Sequence, residues 1–577
     1  MADPAAQALA LAQAGRLGEA ERICRAHRGR PELGFLLAQI LAHHGRPAEA
    51  AAELEMVVAN APALVEAAAL AGSLYESLGR ADRAEAMYRR ALSRQPSARL
   101  WFNLGNALRR QDRQVEAVEC YLQAHILAPA DATMLSALVA RKQALCDWDG
   151  LDGLAGRLLP LAGAGGVQPL RMLAVECAED VHQRCARAWG AAIPGPARRH
   201  APGTPKDRLT IGYLSADLHR HATAYLAAEL FELHDRDRFR VVAYSLGPDD
   251  GSEMRRRLEA GFDVFHHLAG RPTEDIAARI AADGVDILVD LKGYTRDARP
   301  EILALRPAPI QVSYLGYPGT MGVGFIDYIV ADPVVLPMAA QPFYDERIVH
   351  LPDCYQVNDR RRPHPARPPR AALGLPEEEG RVLACFNAAY KIAAPVFAVW
   401  MDILAATPGA VLWLLGDEPA VEDALRAAAG RAGQDPGRLV FAPRLPLAEH
   451  LARYAAADLF LDTLPYNAHT TGSDALWMGC PMVTCRGRSF AARVGASLLH
   501  AAGLPQLVTD SLADYRALAL SLLGDGPALA GLRRHLSESR ATLALFDTPR
   551  FTRNLEAAYA AMWARHVAGL PPAAFQV

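Results

Sequence analysis

Apolar and small residues return at a fixed interval through the first quarter of the chain. Ala117, Tyr121, Ala124 and Pro129 echo Ala84, Tyr88, Ala91 and Pro96, and these echo Ala50, Leu54, Val57 and Pro62, a period of 33 to 34 residues. A degraded earlier copy keeps Ala20 and Cys24. Self-similarity at this interval predicts pairs of antiparallel helices stacked in an array. The clearest unit places Trp101, Leu104, Gly105 and Leu108 ahead of Ala117, with Gly105 and Ala117 where paired helices approach closely and Pro129 ending the second helix.

The helical pattern persists to about Ala192, where Pro194-Gly195-Pro196 and a polar run to Arg208 break it. Short apolar runs then alternate with helical stretches: Leu209–Leu214, Phe239–Leu246, Asp286–Leu291, Ile310–Leu315, Ile326–Val330 and Arg347–Leu351. A linker rich in arginine and proline, Asp359–Arg370, interrupts the series. It resumes with Val382–Phe386, Val411–Leu415, Leu439–Phe441, Leu459–Leu461, Met482–Thr484 and Gln506–Thr509. Near-continuous apolar runs between helices predict parallel strands buried on both faces. The expected organisation is helical repeats over 1–134, a helical connector over 135–205, and two Rossmann-like domains over 206–370 and 371–577. The last helical stretch, Thr552–Val567, is grouped with the second domain and carries Leu555, Tyr559, Met562 and Trp563, an apolar set able to pack back across the domains.

Composition narrows the function classes. The 577 residues are 51% hydrophobic and 22% charged with a net charge of −3, so sizeable cores can form and no electrostatic case exists for nucleic acid as the main partner. No run of about 18 uninterrupted apolar residues marks a membrane span. Met-Ala-Asp-Pro at the start lacks the features of a secretory leader. Nine scattered cysteines without a CxxC pair read as reduced thiols in a cytoplasmic protein, not as disulfides or a zinc site. Abundant Ala, Arg and Gly with little Lys suggests a GC-rich bacterial genome.

The chemistry-bearing residues gather after expected strands. Asp462–Asp474 (DTLPYNAHTTGSD) follows the run Leu459–Leu461 and opens a helix. Unpaired amides at a helix start make an anion site, with Thr470 and Thr471 adding hydroxyls, Gly472 permitting close backbone approach and Asp474 placed for a ribose diol. The same pattern also describes a plain capped helix. Asn387–Lys391 follows another strand, where Lys391 can neutralise a diphosphate or stand as a surface charge. In the first α/β domain, Asp217-Leu218-His219-Arg220-His221, with Thr223 close behind, offers a general base or polar loop residues. Arg306–Gln311 and Leu315–Thr320 run through a strand into a Gly/Pro turn.

The repeats follow the tetratricopeptide pattern. Taken with Cys146-Asp147-Trp148, the Asp217–His221 loop, Gly293-Tyr294-Thr295, Arg306–Gln311, Leu315–Thr320, Tyr390-Lys391, His469–Asp474 and Gly479–Ser497, they resemble the O-linked N-acetylglucosamine transferase family over almost the whole chain. The resemblance implies tetratricopeptide repeats followed by a GT-B fold, inversion at the sugar, UDP-GlcNAc as donor, a protein hydroxyl as acceptor, and no essential metal or other cofactor. It matches Lys391 to a lysine on the donor diphosphate, with Tyr390 beside it; His469, Thr470 and Thr471 to a phosphate-binding trio; and Asp474 to a ribose-binding aspartate. It matches His450 to a histidine stacking on uracil, Leu315 and Pro318 to residues around the sugar, and Arg299 to the sugar and phosphate surround. His221 and Thr223 match residues near acceptor and donor, and Asp217 a proposed proton acceptor. The family's concave-face asparagine ladder is reduced here to Asn103, with Leu70 and Leu36 at the matching positions, though the concave face still suits a protein partner. Departures fall at Leu170, Arg220, Ala222, Ala388 and Leu447. They leave open another donor, such as GDP-fucose or UDP-glucose. They also leave open a repeat adaptor with a vestigial transferase module, or an epimerase of similar architecture.

Overall fold

The computed structural model describes residues 3–195, 200–376, 380–416 and 418–577. Pro196 of the expected proline break and Met1-Ala2 of the leader reading lie outside the described residues. The chain divides into two compact units, Met1–Lys142 and Gln143–Val577.

In the first unit, helices pair in succession from Pro4–Gln13 to Gln114–Leu127. The small residues hold the pairs together: a Cβ added at Gly105 would lie 2.7 Å from the Tyr121 ring, and one at Gly72 2.5 Å from Tyr88. Ala84 and Ala117 are fully buried at the matching contacts. Asn103 lies beside the Tyr88 hydroxyl of the preceding repeat. The boundary expected at 134/135 falls inside the helix Ala132–Ala144, whose Leu135, Leu138 and Val139 are buried and which contains no breaker residue.

The second unit holds two sheets. The first is formed by β1 (Leu209–Ser215), β2 (Phe239–Ser245), β3 (Val264–His267), β4 (Ile287–Asp290), β5 (Ile310–Ser313), β6 (Tyr328–Ala331) and β7 (Arg347–His350). The second is formed by β8 (Val382–Cys385), β9 (Val411–Leu415), β10 (Leu439–Ala442), β11 (Leu459–Leu461), β12 (Met482–Cys485) and β13 (Val508–Thr509). A last short strand, β14 (Phe575–Gln576), returns to the edge of the first sheet beside β7. The orders are β14-β7-β6-β5-β4-β1-β2-β3 and β10-β9-β8-β11-β12-β13, with every pair parallel. Each sheet starts at its centre, winds outward to one side and then reverses to the other, which is the doubly wound Rossmann arrangement. Reversal occurs between β1 and β4 in the first sheet and between β8 and β11 in the second. In such sheets ligands bind beyond the carboxyl ends of the strands at that reversal.

Two strands escape the apolar pattern. β3 is a partly exposed strand of sequence Val-Phe-His-His, and β14 is only two residues long. The larger difference concerns the last helix, Thr548–Val567. Its Leu555, Tyr559, Met562 and Trp563 are buried in the core of the first sheet, with Tyr213, Val312 and Val330. The Tyr559 hydroxyl meets that of Tyr213 at 3.1 Å, and Glu556 bonds the buried His234 at 3.0 Å. Residues 548–576, expected with the second domain, thus complete the first, because the apolar face of this helix packs into the core of the first sheet.

Candidate functional site

Four loops flank the two reversal points. They carry Asp217–Thr223 after β1, Lys292–Tyr294 after β4, Asn387–Lys391 after β8 and Asp462–His469 after β11. The site therefore follows from topology before any side chain is considered.

The β11 loop is built around a buried carboxylate. Asp462 accepts from the amides of Thr463 at 2.7 Å and Ala468 at 2.6 Å and from the Thr484 hydroxyl at 2.6 Å. Burial lifts its carboxyl to about 6. Asn467, fully buried, donates to the Thr463 carbonyl at 2.6 Å and accepts from the Gly495 amide at 3.3 Å. Gly495 is required there, because a Cβ would collide with Asp462 Oδ2 and lie 2.5 Å from Thr484 Oγ1. This bracing fixes the start of the helix Thr470–Trp477, whose first amides have no intrahelical partner. The Thr471 hydroxyl donates to Asn387 Oδ1, joining the β11 loop to the β8 loop.

Lys391 enters from the β8 loop. Its Nζ donates to the Asn467 carbonyl at 2.9 Å and lies 3.9 Å from the centre of the Tyr466 ring. Burial pulls the ammonium down to about 8, with Asp462 opposing. His469 caps the helix backbone beside Tyr466, and its Nε2 is buried without a hydrogen-bond partner. Burial, then the positive charge of Lys391, holds His469 well below the usual imidazole range, so it is neutral. Tyr390 packs against Tyr466 with ring centres 5.8 Å apart.

In the first domain, Asp217 is buried and its Oδ2 receives Lys292 Nζ at 2.6 Å. His221 Nδ1 lies 3.5 Å from the same oxygen and accepts the Thr223 amide at 3.2 Å, capping the helix Ala222–Leu233. Accepting that amide places the neutral imidazole's proton on Nε2. Desolvation lowers the His221 pKa, Asp217 opposing. Asp290, at the end of β4, takes the Lys292 and Gly293 amides at 3.0 and 2.8 Å and so fixes the lysine's backbone.

A continuous line of contacts joins the two halves. Gly293, with a φ of +54°, backs onto the Tyr317 side chain, leaving no room for a Cβ. Tyr317, Tyr294, Tyr466 and Ala491 share one buried cluster, with Leu170 and Tyr390 packed on it. Leu315 holds a left-handed φ of +67° in the turn ahead of Tyr317, and Pro318 is buried just after it. Strained backbone of this kind collects at ligand sites. Leu170 puts an aliphatic side chain on that cluster.

Of the remaining candidates, Gly472 and Arg299 stand differently from expectation. Gly472 faces the protein, and a Cβ there would press on Leu498, Ala468 and Met482 at 3.0 to 3.2 Å, so its small size serves helix packing. Arg299 is held by another loop, donating to the Arg271 carbonyl and Thr273 hydroxyl, both at 2.7 Å. His450 sits on the helix Leu447–Tyr454 beside the rings of Phe386 and Tyr454, and burial holds it near 4. Asp474 is paired with Arg362 of the linker at 2.9 Å.

Lys292 was not singled out from the sequence: it follows a strand at a reversal point, a signal visible only once strand order is known. Asp462 and the Cys146–Trp148 turn were named within motifs but given no role of their own. Cys146 Sγ contacts the Ala389 carbonyl at 3.6 Å, and Trp148 Nε1 donates to the Ile392 carbonyl at 3.3 Å, so the connector grips the loop on both sides of Lys391. Among the described residues one group, Asp249, Glu259 and His267, is close enough to share a metal ion, and it includes none of these site residues.

A cationic lysine, a helix start and a facing carboxylate at paired reversal points suit a nucleotide-linked substrate. Comparison with known proteins gives the class. A model of glycosyl transferase family 41 matches residues 196–367 and 366–555, and a tetratricopeptide repeat model matches 70–132. The chain belongs to glycosyl transferase family 41. Among curated relatives, the probable UDP-N-acetylglucosamine–peptide N-acetylglucosaminyltransferase SEC of Arabidopsis thaliana is 36% identical over 462 residues, covering 75% of this chain and 47% of that protein. The Caenorhabditis elegans UDP-N-acetylglucosamine–peptide N-acetylglucosaminyltransferase is 30% identical over 477 residues, 63% of this chain and 41% of its own. The chain thus spans under half the length of these curated relatives. A solved structure of a mutant of the Thermobaculum terrenum O-GlcNAc transferase superposes with a TM-score of 0.68 at 30% identity, over 93% of this chain and 98% of that one. The fold is accordingly the GT-B fold of family 41 preceded by tetratricopeptide helices.

Proposed function

We propose that this chain is an inverting glycosyltransferase that moves N-acetylglucosamine from UDP-GlcNAc to serine or threonine hydroxyls of proteins. The observation that carries the reading is the pairing of Lys391 and the Thr470 helix start, at one reversal point, with Asp217 and His221 at the other. The similarity to proteins named as UDP-N-acetylglucosamine–peptide N-acetylglucosaminyltransferases supports the donor and acceptor class.

In this mechanism the acceptor oxygen forms a bond to the anomeric carbon as the bond from that carbon to the β-phosphate oxygen breaks. UDP leaves with the bonding pair. Lys391, the amides of Thr470 and Thr471 and the Thr470 hydroxyl meet the charge that grows on the diphosphate, while the Thr471 hydroxyl stays on Asn387. His450 and Asp474 take the nucleoside, and Leu315, Pro318 and the Tyr317 cluster enclose the sugar. His221 carries its proton on Nε2 and so acts as a hydrogen-bond donor. Asp217 is then the group that receives the acceptor's proton, directly or through water. With Lys391 and the helix start countering the phosphates, no divalent metal or other cofactor is assigned, and transfer is expected to persist in excess EDTA. Nine free cysteines fit a reducing, cytoplasmic setting, and among the described residues no helix is long and apolar enough to cross a membrane. The concave face of the repeats is the proposed docking surface for the protein acceptor.

The test is sugar transfer to a peptide library with UDP-GlcNAc, UDP-glucose and GDP-fucose in parallel. UDP-GlcNAc should give β-linked product and stoichiometric UDP. Nucleotide binding without product from any donor, or a free isomerised nucleotide sugar, would overturn the proposal.

Two further outcomes follow from the loop geometry. Lys391 must be charged to stabilise the leaving group, and its ammonium sits near 8, so the charged form is full below that pH and lost above it. The kcat/KM profile should therefore fall on the alkaline side with a midpoint near 8, and a Lys391→Arg variant should lack that limb whatever its absolute rate. Trp148→Phe keeps the ring packing on Phe397 but removes the hydrogen bond to Ile392. A lost hydrogen bond of this kind is worth about 1 kcal/mol. We expect about a fivefold fall in kcat with little change in melting temperature; an unchanged kcat would refute the propping role.

A further inference from the structure

We propose that Arg362 is a positioning residue of the nucleotide site: it holds Asp474 oriented for the donor's ribose and ties ribose occupancy to the interdomain linker. This rests on the reading of the chain as a nucleotide-sugar transferase.

Asp474 lies one turn beyond Thr470 on the same helix, so the two residues share a face. Its side chain is 8% exposed, and the partner bonded to it is Arg362 Nη1, itself 4% exposed. Arg362 is held from the other sides as well. Its guanidinium lies over the rings of Trp477 and Phe546 at 4.7 and 5.4 Å, and Nη2 donates to Asn358 at 3.1 Å. A fork held in this way fixes the carboxylate more tightly than a flexible ammonium could. Tyr454 faces Asp474 and also meets His450 at 3.4 Å, so base-side and ribose-side candidates converge on one ring.

The residues just before Arg362 grip the other domain. Arg360 bonds Glu229 at 2.7 Å, Arg361 bonds Glu232 at 2.9 Å, and Asp359 pairs with Arg257. Glu229 and Glu232 lie on the helix that starts at His221 and Thr223. Arg360 and Arg361 directly, and Asp359 through Arg257, which bonds Glu232 at 2.8 Å, thus connect the segment of Arg362 to the helix bearing the acceptor-side histidine. A buried carboxylate without a cation protonates at neutral pH, and a protonated Asp474 could no longer accept two ribose hydroxyls as an anion. Even beside Arg362, burial raises this carboxyl to about 6. Among the described residues, Arg362 and Tyr454 are the charged or titratable groups facing it, with Arg540 beyond Arg362.

The experiment is calorimetric titration of UDP and 2′,3′-dideoxy-UDP into the full-length wild type and its R362M, R362K and D474N variants at pH 7.5. The wild type should prefer UDP. R362M should weaken UDP about tenfold while leaving dideoxy-UDP unchanged, so the preference collapses, and it should return in part as the pH is raised and Asp474 ionises. R362K should fall between the two and keeps the test open if R362M does not fold. D474N should lose the preference at every pH. Wild-type preference retained in R362M or R362K, with D474N lacking it, overturns the role of Arg362 and leaves the nucleotide reading intact. Absence of UDP binding or of ribose preference in the wild type overturns the nucleotide reading and this inference with it.

Discussion

Replacing Lys391 with methionine is expected to lower kcat about a thousandfold while leaving the melting temperature within a few degrees of the wild type. Methionine keeps most of the length and apolar volume, so the packing against Tyr466 survives. What disappears is a preorganised positive charge where the diphosphate gains negative charge, and losing one such donor costs about 100- to 1,000-fold. The ammonium is also partly desolvated, which its lowered pKa of about 8 records. Removing it therefore relieves a folding cost as it abolishes a catalytic benefit. Single-turnover transfer with saturating UDP-GlcNAc, set beside thermal unfolding, separates the two. A kcat within tenfold of wild type would remove Lys391 from the leaving-group role.

Asp217→Asn should cost about 100- to 10,000-fold in kcat if Asp217 takes the acceptor's proton. The single variant carries a complication, because Lys292 at 5% exposure would keep a buried charge without its partner. Breaking a buried pair from one side costs about 3–5 kcal/mol in stability. The informative variant is the double replacement Asp217→Asn with Lys292→Met, which removes both charges. Stability should recover and activity should not. If activity returned with stability, the pair would be structural and the proton would go elsewhere. His221→Ala should be milder, since its Nε2 donates and its Nδ1 already accepts the Thr223 amide.

The extent to which the fold was legible depended on local pattern. Repeat spacing marked the helical unit, and twelve of the strands announced themselves as apolar runs between helices. β3 did not, because two of its four residues are histidines at a partly exposed edge. The return of Thr548–Val567 to the first sheet was equally invisible as an assignment: amphipathic spacing shows that a helix has an apolar face, not which core receives it. The candidate site divides in the same way. Loops at strand ends, such as Asn387–Lys391 and Asp462–Asp474, carry local signatures. Lys292 and Arg362 do not, since each matters through a partner far off in sequence, Asp217 or Asp474. Gly472 and Arg299 mark the converse error. A residue can match a binding pattern while its side chain, or the space where one would stand, faces the protein interior or another loop.

The last helix and β14 have a consequence for how the molecule can be made and divided. The first Rossmann-like domain is assembled from two stretches separated by the entire second domain. On the ribosome its sheet must wait, with Tyr213, Val312 and Val330 short of their covering helix, until nearly two hundred further residues have emerged. A fragment cut at the arginine-rich linker would therefore be a half-built layer rather than a domain. The inserted second domain, by contrast, has both its ends anchored in the first, so any opening of the cleft must bend two chain crossings together: the linker at 358–362 and the entry to the last helix near 546–551.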